Sequence, residues 1–508
     1  MYKSIVLVFV GMMALLSCQK SARPYEHISD NTFSSLRVEH FRIDTAEVRA
    51  EILRMTGKEG VLPADRYCKK HYRNGGALLW IDRMGLLHNP DTLLQYLKQA
   101  EQHGINTRQF WPEQITADLE RVRQLQFDDG EHSPGKVLAR LEYLLTRASI
   151  RYSAGLNFGF VNPDHFFNRI ELRENDTTHT KYKSLCYLKV KRPNDSFNQR
   201  VMNAIVSDSL NLLLQEVQPK GRFYRDLAER LQSAHLTANE RKILVCNMEK
   251  CRWQSAVHPL FDQCQRYVVV NIPSYSLRAV DGNKVLNMRV GCGTLDHKSP
   301  LLVSTLTRMD INPQWIIPKS IAKGYVGRVG YMHQQGIFVL DKKQGKLSAE
   351  HASYQKVMDG EQYLVQAGGP KNSLGRIVFR FDNHFSVYLH DTSSPWLLQR
   401  SNRALSHGCI RLEKPLELAL FLLGPGQDAM ADKITYSMTM DFVNDNDSVK
   451  VKPKIDKKRI VNTVPVKPST PLWIAYYTVY YDNNNQLVSY PDVYGYDQHL
   501  IEHMAPYI

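Results

Sequence analysis

The hydrophobic pattern of this chain changes period at Tyr267, and that change constrains what each half can become. Ahead of it, apolar residues recur at three- and four-residue steps over Asp91–His103 and Val137–Tyr152, which gathers them on one buried helix face. Thr237 and Glu240 have the spacing of a capping box, in which hydroxyl and carboxylate each satisfy an orphan backbone donor, and the helix they open is expected to run to about Trp253. Beyond the change, Tyr267–Ile272 is rich in β-branched residues. Tyr275, Leu277 and Ala279 alternate with polar positions, and Asp281-Gly282 turns the chain into Val285–Val290. Further strands are expected at Gly336–Leu340, Ile377–Phe381 and Phe385–Leu389. Helices first and strands afterwards predict an α+β chain, with a mainly helical domain over residues 32–265 and a β-rich domain over 266–500.

The chemistry concentrates between Tyr388 and Leu412. A thiol attacks a carbonyl only as thiolate, so it needs an imidazole to take its proton and backbone donors to hold the oxyanion. Cys409 is the candidate nucleophile, and His390, at the end of a predicted strand, is the candidate base. Gly408 permits the close backbone approach of an oxyanion hole, formed where the chain is expected to turn into a helix over Lys414–Leu423. Arg411 is suited either to a substrate carboxylate or to a structural ion pair. Ser406, His407 and Tyr388 are candidates for lining the site. Asp391 offers a backbone carbonyl to orient the imidazole, and its carboxylate is equally suited to holding a turn. Taken alone, this pattern also fits a structural histidine near an inert cysteine.

The N-terminus bears on compartment. Lys3 precedes an apolar run, Ile5–Leu16, that is too short to span a bilayer and fits the core of a secretory signal. A chain of 508 residues with a formal charge of +14 suits an anionic neighbourhood such as a membrane surface, and no nucleic-acid-binding module stands out. Eight cysteines less Cys18 leave an odd number, so one thiol is expected free, with Cys409 the choice, while the others are open to disulfide pairing. No metal-binding spacing and no cofactor motif is present.

Leu15-Leu16-Ser17-Cys18 resembles the bacterial lipoprotein signal, which implies lipidation of Cys18, a tether over residues 19–31 and a periplasmic chain anchored to an envelope membrane. Tyr388-Leu389-His390-Asp391-Thr392 with Ser406-His407-Gly408-Cys409-Ile410-Arg411 resembles the catalytic motif of the L,D-transpeptidases with a YkuD-type domain. Asn247-Met248-Glu249, Asn312-Pro313-Gln314-Trp315, Asn372-Ser373-Leu374-Gly375-Arg376 and the tyrosine-rich tail extend the likeness to the large periplasmic members. The resemblance implies a helical scaffold domain, a capping lid inserted over residues 324–369 with mobile glycine-rich ends, and no cofactor. It also implies a Cys409 thioester formed on peptidoglycan tetrapeptide stems with loss of D-alanine, then attack by a stem amine to give a 3-3 cross-link. Carbapenem-class β-lactams are the implied inhibitors. A hydrolase on the same residues, either an L,D-carboxypeptidase or an enzyme releasing wall proteins, shares every element of the motif, and a non-catalytic wall-binding lipoprotein is the reading without chemistry. Many large members carry an inserted peptidoglycan-binding module, for which no segment here is long enough. Residues 443–470, rich in lysine and proline, are expected to form an exposed basic linker within the catalytic domain.

Overall fold

The computed structural model describes residues 44–508 except 59–62, 83–84, 174–177, 179, 234 and 440–454. The signal segment, Cys18, the tether and the first part of the basic linker lie outside the described residues.

The helical half is built around Pro134–Phe158, a helix capped by the Ser133 side chain and buried along most of its length. Its apolar residues join those of Thr45–Lys58, Asp91–Lys98, Pro112–Gln124 and Asp195–Val206 in one core. One charged group serves this core as a template. The Glu142 carboxylate, fully buried, accepts the backbone N–H groups of Leu79 (2.7 Å), Trp80 (2.8 Å) and Ile81 (3.2 Å) and the Tyr72 hydroxyl. The capping box at Thr237 and Glu240 is present, but its helix, Ala238–Arg252, and the preceding Arg222–Leu231 share a core with the β-rich half. The same core takes in Val161, Phe167, Leu185 and Cys186 from earlier in the chain, and Cys186–Tyr187 pairs with Leu301–Leu302, so segments of the helical half pack into the β-rich one.

The β-rich half is a closed barrel. Its strands are β1 (Arg266–Asn271), β2 (Ser276–Asp281), β3 (Lys284–Gly293), β4 (Leu301–Ile311), β5 (Ile377–Phe381), β6 (Leu389–His390), β7 (Ala404–Ser406), β8 (Ile410–Leu412) and β9 (Thr463–Ala475). Around the ring they run β5-β6-β8-β3-β2-β1-β9-β4 and back to β5, with β7 added beside β3. The hairpin expected around Asp281-Gly282 is β2–β3, and Gly282 takes the left-handed conformation at φ 57° that this tight turn requires.

Several expectations give way here. Cys409 leads into strand β8, and the helix behind it, Pro415–Leu423, starts only after that strand ends. The final part of the supposed linker, from Thr463, is the start of β9, paired with β4. Pro468 is tolerated because it falls where the register shifts between Pro465 and Thr470 and the ladder needs no donor. All seven described cysteines are free thiols, so no disulfide forms among the described residues. Among them, too, no helix is long and apolar enough to cross a membrane.

The insertion between β4 and β5 is a small folded layer with a core of its own around Ile317, Met332, Val339 and Leu364. Its sheet begins at Trp315–Ile316, earlier than the sequence pattern suggested, and includes Ile337–Asp341 and Gln362–Gln366. Its far root is tied down. The buried Asn372 amide donates to the carbonyls of Pro313, Gln366 and Ala367, and a Cβ at Gly368 would fall 2.5 Å from the Asn312 oxygen. Gly368 thus serves close approach of two backbone segments at this root.

Candidate active site

Two short parallel strands bring the chemistry together. β6 pairs with β8 in the register Leu389↔Ile410 and His390↔Arg411. Side chains alternate across a strand, so Leu389, Ile410 and Leu412 enter the barrel core while Tyr388, His390, Cys409 and Arg411 face the other way. These four form the floor of a cleft of about 500 Å³, roofed from the inserted layer by Gln314, Trp315, Ile316, Pro318 and Ile321.

His390 is 4% exposed, and its Nδ1 lies 2.5 Å from the Asp391 carbonyl oxygen. A carbonyl only accepts, so Nδ1 carries the proton and Nε2 is left with the lone pair that a base needs. Burial, reinforced by the Arg411 charge, pulls the imidazole down to about 4, against the carbonyls of Asp391 and Leu374, which favour its protonation. Burial likewise pushes the Cys409 thiol above its ordinary value, opposed by the Tyr388 backbone N–H, Arg411 and Arg380. No hydrogen bond joins thiol to ring among the described bonds, so the resting pair is neutral on both sides.

The remaining sequence candidates divide by role. The Asp391 carboxylate accepts the N–H groups of Arg376 (2.8 Å) and Thr392 (2.7 Å), so it holds the loop that presents the Leu374 carbonyl. The Ser406 hydroxyl is spent on the nucleophile's own turn: it donates to the Cys409 carbonyl at 2.6 Å and accepts the Gly408 N–H at 3.1 Å. Gly408, at φ 108°, makes a turn that other residues rarely adopt, and its N–H is engaged within that turn. His407 is exposed at the rim, its ring 4.4 Å from that of His297. Tyr388 packs beneath the Arg380 guanidinium at 4.4 Å, and Arg380 is itself paired with Asp310.

Arg411 differs from Arg380. It has no carboxylate partner among the described residues, its Nε is buried without a hydrogen bond, and burial lowers the stability of its charge. Among the described residues no Asp or Glu lines the cleft. The site is an uncompensated cationic pocket around a thiol. No group of three or more ligating side chains that would hold a metal occurs among the described residues.

Sequence reasoning did not find Ser299 or Tyr494. The Ser299 hydroxyl donates to the Gly408 carbonyl at 2.8 Å, and the Tyr494 hydroxyl braces the Ser299 loop from the C-terminal tail. Ser299 belongs to no motif and Tyr494 only to the tyrosine-rich tail, and the tertiary fold alone brings them to the turn.

Residues 265–451 match the family model of the L,D-transpeptidase catalytic domain, and residues 67–231 match that of the scaffold domain. A curated Haemophilus influenzae protein named "Putative L,D-transpeptidase" is 25% identical over 369 residues, 70% of each chain. Among solved structures, an L,D-transpeptidase from Mycobacterium smegmatis is 18% identical over 30% of this chain and 52% of its own, at a TM-score of 0.16. The structure of the Ldtfm-avibactam carbamoyl enzyme is 13% identical over 52% of this chain and 72% of its own, at a TM-score of 0.20. The alignment thus spans about half the length of the mycobacterial chain, and at such scores nothing about this chain follows from the superpositions.

Proposed function

Because this chain belongs to the L,D-transpeptidase family, with a YkuD-type catalytic domain behind a helical scaffold domain, we propose that it cross-links peptidoglycan through an acyl-enzyme on Cys409. The observation that carries this reading is the cleft floor: a thiol at the start of one short strand and, on the adjacent parallel strand, a ring whose Nδ1 is held by a backbone carbonyl, beside an arginine with no carboxylate partner among the described residues.

In the proposed reaction the His390 Nε2 takes the Cys409 proton as the sulfur attacks the carbonyl between the third residue of a tetrapeptide stem and its terminal D-alanine. The carbonyl π electrons move to oxygen. When they return, the C–N bond breaks, and the amine of D-alanine leaves with the proton now held on the imidazolium. A thioester remains. The amine of a second stem then attacks it, His390 removes the excess proton and the thiol is regenerated. Arg411 suits the carboxylates of the stem, because a bound anion would supply the partner that the protein does not.

We further propose that Cys18 is lipidated and holds the enzyme at an envelope membrane on the periplasmic side, and that carbapenem-class β-lactams acylate Cys409. Incubation with tetrapeptide stems, followed by mass spectrometry, tests the reaction. Cross-linked dimers together with a Cys409 acyl adduct are expected. Tripeptide without dimer would assign the site to a carboxypeptidase, and no adduct would leave a binding protein. Cys18→Ser should move the protein out of the membrane fraction, and unchanged membrane association would count against the anchor.

A further inference from the structure

We propose that Ser299 is a positioning residue that aims the Cys409 backbone N–H at the oxyanion, an inference that rests on the acyl-enzyme reading above. The Gly408 carbonyl and the Cys409 N–H belong to one planar trans peptide, so they point in opposite directions. The Ser299 hydroxyl, fully buried behind the turn, holds that carbonyl at 2.8 Å. Pulling the oxygen inward sets the N–H outward, and the Cys409 N–H has no acceptor among the described bonds. By contrast, the Gly408 N–H is occupied by Ser406. The oxyanion therefore falls chiefly to one backbone donor, and Ser299 governs its direction.

Ser299 is itself braced. Its oxygen accepts the Gly293 N–H at 2.9 Å, which strengthens the hydroxyl as a donor and through it polarises the Gly408–Cys409 peptide. The Tyr494 hydroxyl donates to the Gly293 carbonyl at 2.7 Å and accepts the Ser299 N–H at 3.2 Å. A Cβ at Gly293 would lie 2.0 Å from the His297 oxygen, so the loop sits as close as backbone allows. When the thiolate adds to the carbonyl, the charge appearing on oxygen is met by the Cys409 N–H without reorganisation of this chain of bonds.

Two reactions of the same sulfur separate the role of Ser299 from a structural one. Alkylation by iodoacetamide, read by mass spectrometry of the Cys409 peptide, needs thiolate and no oxyanion donor. Acylation by a carbapenem needs both. Ser299→Ala should lower acylation by about 10- to 100-fold, with alkylation within about 2-fold and its pH profile unmoved. Tyr494→Phe should give a smaller fall of the same selectivity, and it carries the test if Ser299→Ala does not fold. Equal falls in both reactions, no fall in acylation, or failure of both variants to fold would overturn the proposal. A wild-type protein that alkylates at Cys409 but is never acylated would instead overturn the acyl-enzyme reading beneath it.

Discussion

The resting charge state of the nucleophile is the sharpest quantity the site offers. Transferring the proton from Cys409 to His390 would create a thiolate–imidazolium pair. Even at the ordinary 9.0 of a thiol, and with the imidazole held at about 4, the separation costs about 7 kcal/mol before the two charges attract. Even at the closest approach of an ion pair, about 4 Å, and an effective dielectric of about 20, that attraction returns at most about 4 kcal/mol. The neutral pair is favoured by about 3 kcal/mol, and burial of Cys409 widens the gap. At pH 7 only about one thiol in a hundred, or fewer, is then thiolate. Iodoacetamide alkylation of Cys409 should therefore climb about tenfold per pH unit from pH 6 to beyond 9, with no shoulder at acid pH. His390→Gln should change that alkylation by no more than about 3-fold while lowering acylation by about 10²- to 10⁴-fold, because the ring acts only when the sulfur attacks. A plateau of alkylation between pH 5 and 7 that disappears in His390→Gln would refute the reasoning, since only a preformed ion pair produces it.

Other perturbations read other parts of the molecule. Arg411→Gln should raise KM for a tetrapeptide donor by about 10-fold or more with a smaller change in kcat, corresponding to the loss of roughly 1–3 kcal/mol of charge-assisted hydrogen bonding, measured in a steady-state assay. Glu142→Leu strands three buried N–H groups, while the Tyr72 hydroxyl keeps Thr146 as a partner at 2.8 Å, and should cost about 3–5 kcal/mol of scaffold stability in denaturant melts. Asn372→Ala leaves the carbonyls of Pro313, Gln366 and Ala367 without their shared donor. It should speed amide exchange at the root of the inserted layer before the barrel strands are affected. His103 is held at about 4 by burial and the Arg252 charge, whereas the unfolded chain binds that proton near 6.5. Its contribution to stability is complete above about pH 6.5 and is lost as pH falls towards 4, so His103→Gln should flatten the acid limb of a melting-temperature profile.

How far the sequence reveals this site depends on where the information lies. Cys409 and His390 are readable because a thiol, a glycine and a strand-end histidine fall within one short stretch. The strands that carry them are not, since β6 and β8 span only two and three residues, too short for any period to register. The helix expected over Lys414–Leu423 is present as Pro415–Leu423, but β8, which lies between it and Cys409, leaves no local pattern to read. The same limit hid the first part of β9, from Thr463 to Pro471, whose prolines and lysines argue locally for a linker while pairing to β4 decides otherwise. Arg411 was legible as a residue and ambiguous as a role, and only the lack of a carboxylate near it separates a ligand for substrate from an ion pair.

Ser299 and Tyr494 illustrate what no local pattern contains. The bond from Ser299 to Gly408 spans 109 positions, and the one to Tyr494 spans 195. A serine in a loop and a tyrosine in a tyrosine-rich tail look ordinary until the barrel closes and sets both behind the nucleophile's turn. The physical reason is that an oxyanion hole is a direction and not a residue type. A backbone N–H carries no side-chain signature, and the groups that aim it act on the carbonyl at the other end of the same peptide. The chemistry of Cys409 is written beside it in the chain, whereas the aim of its N–H is set by residues that meet it only after folding.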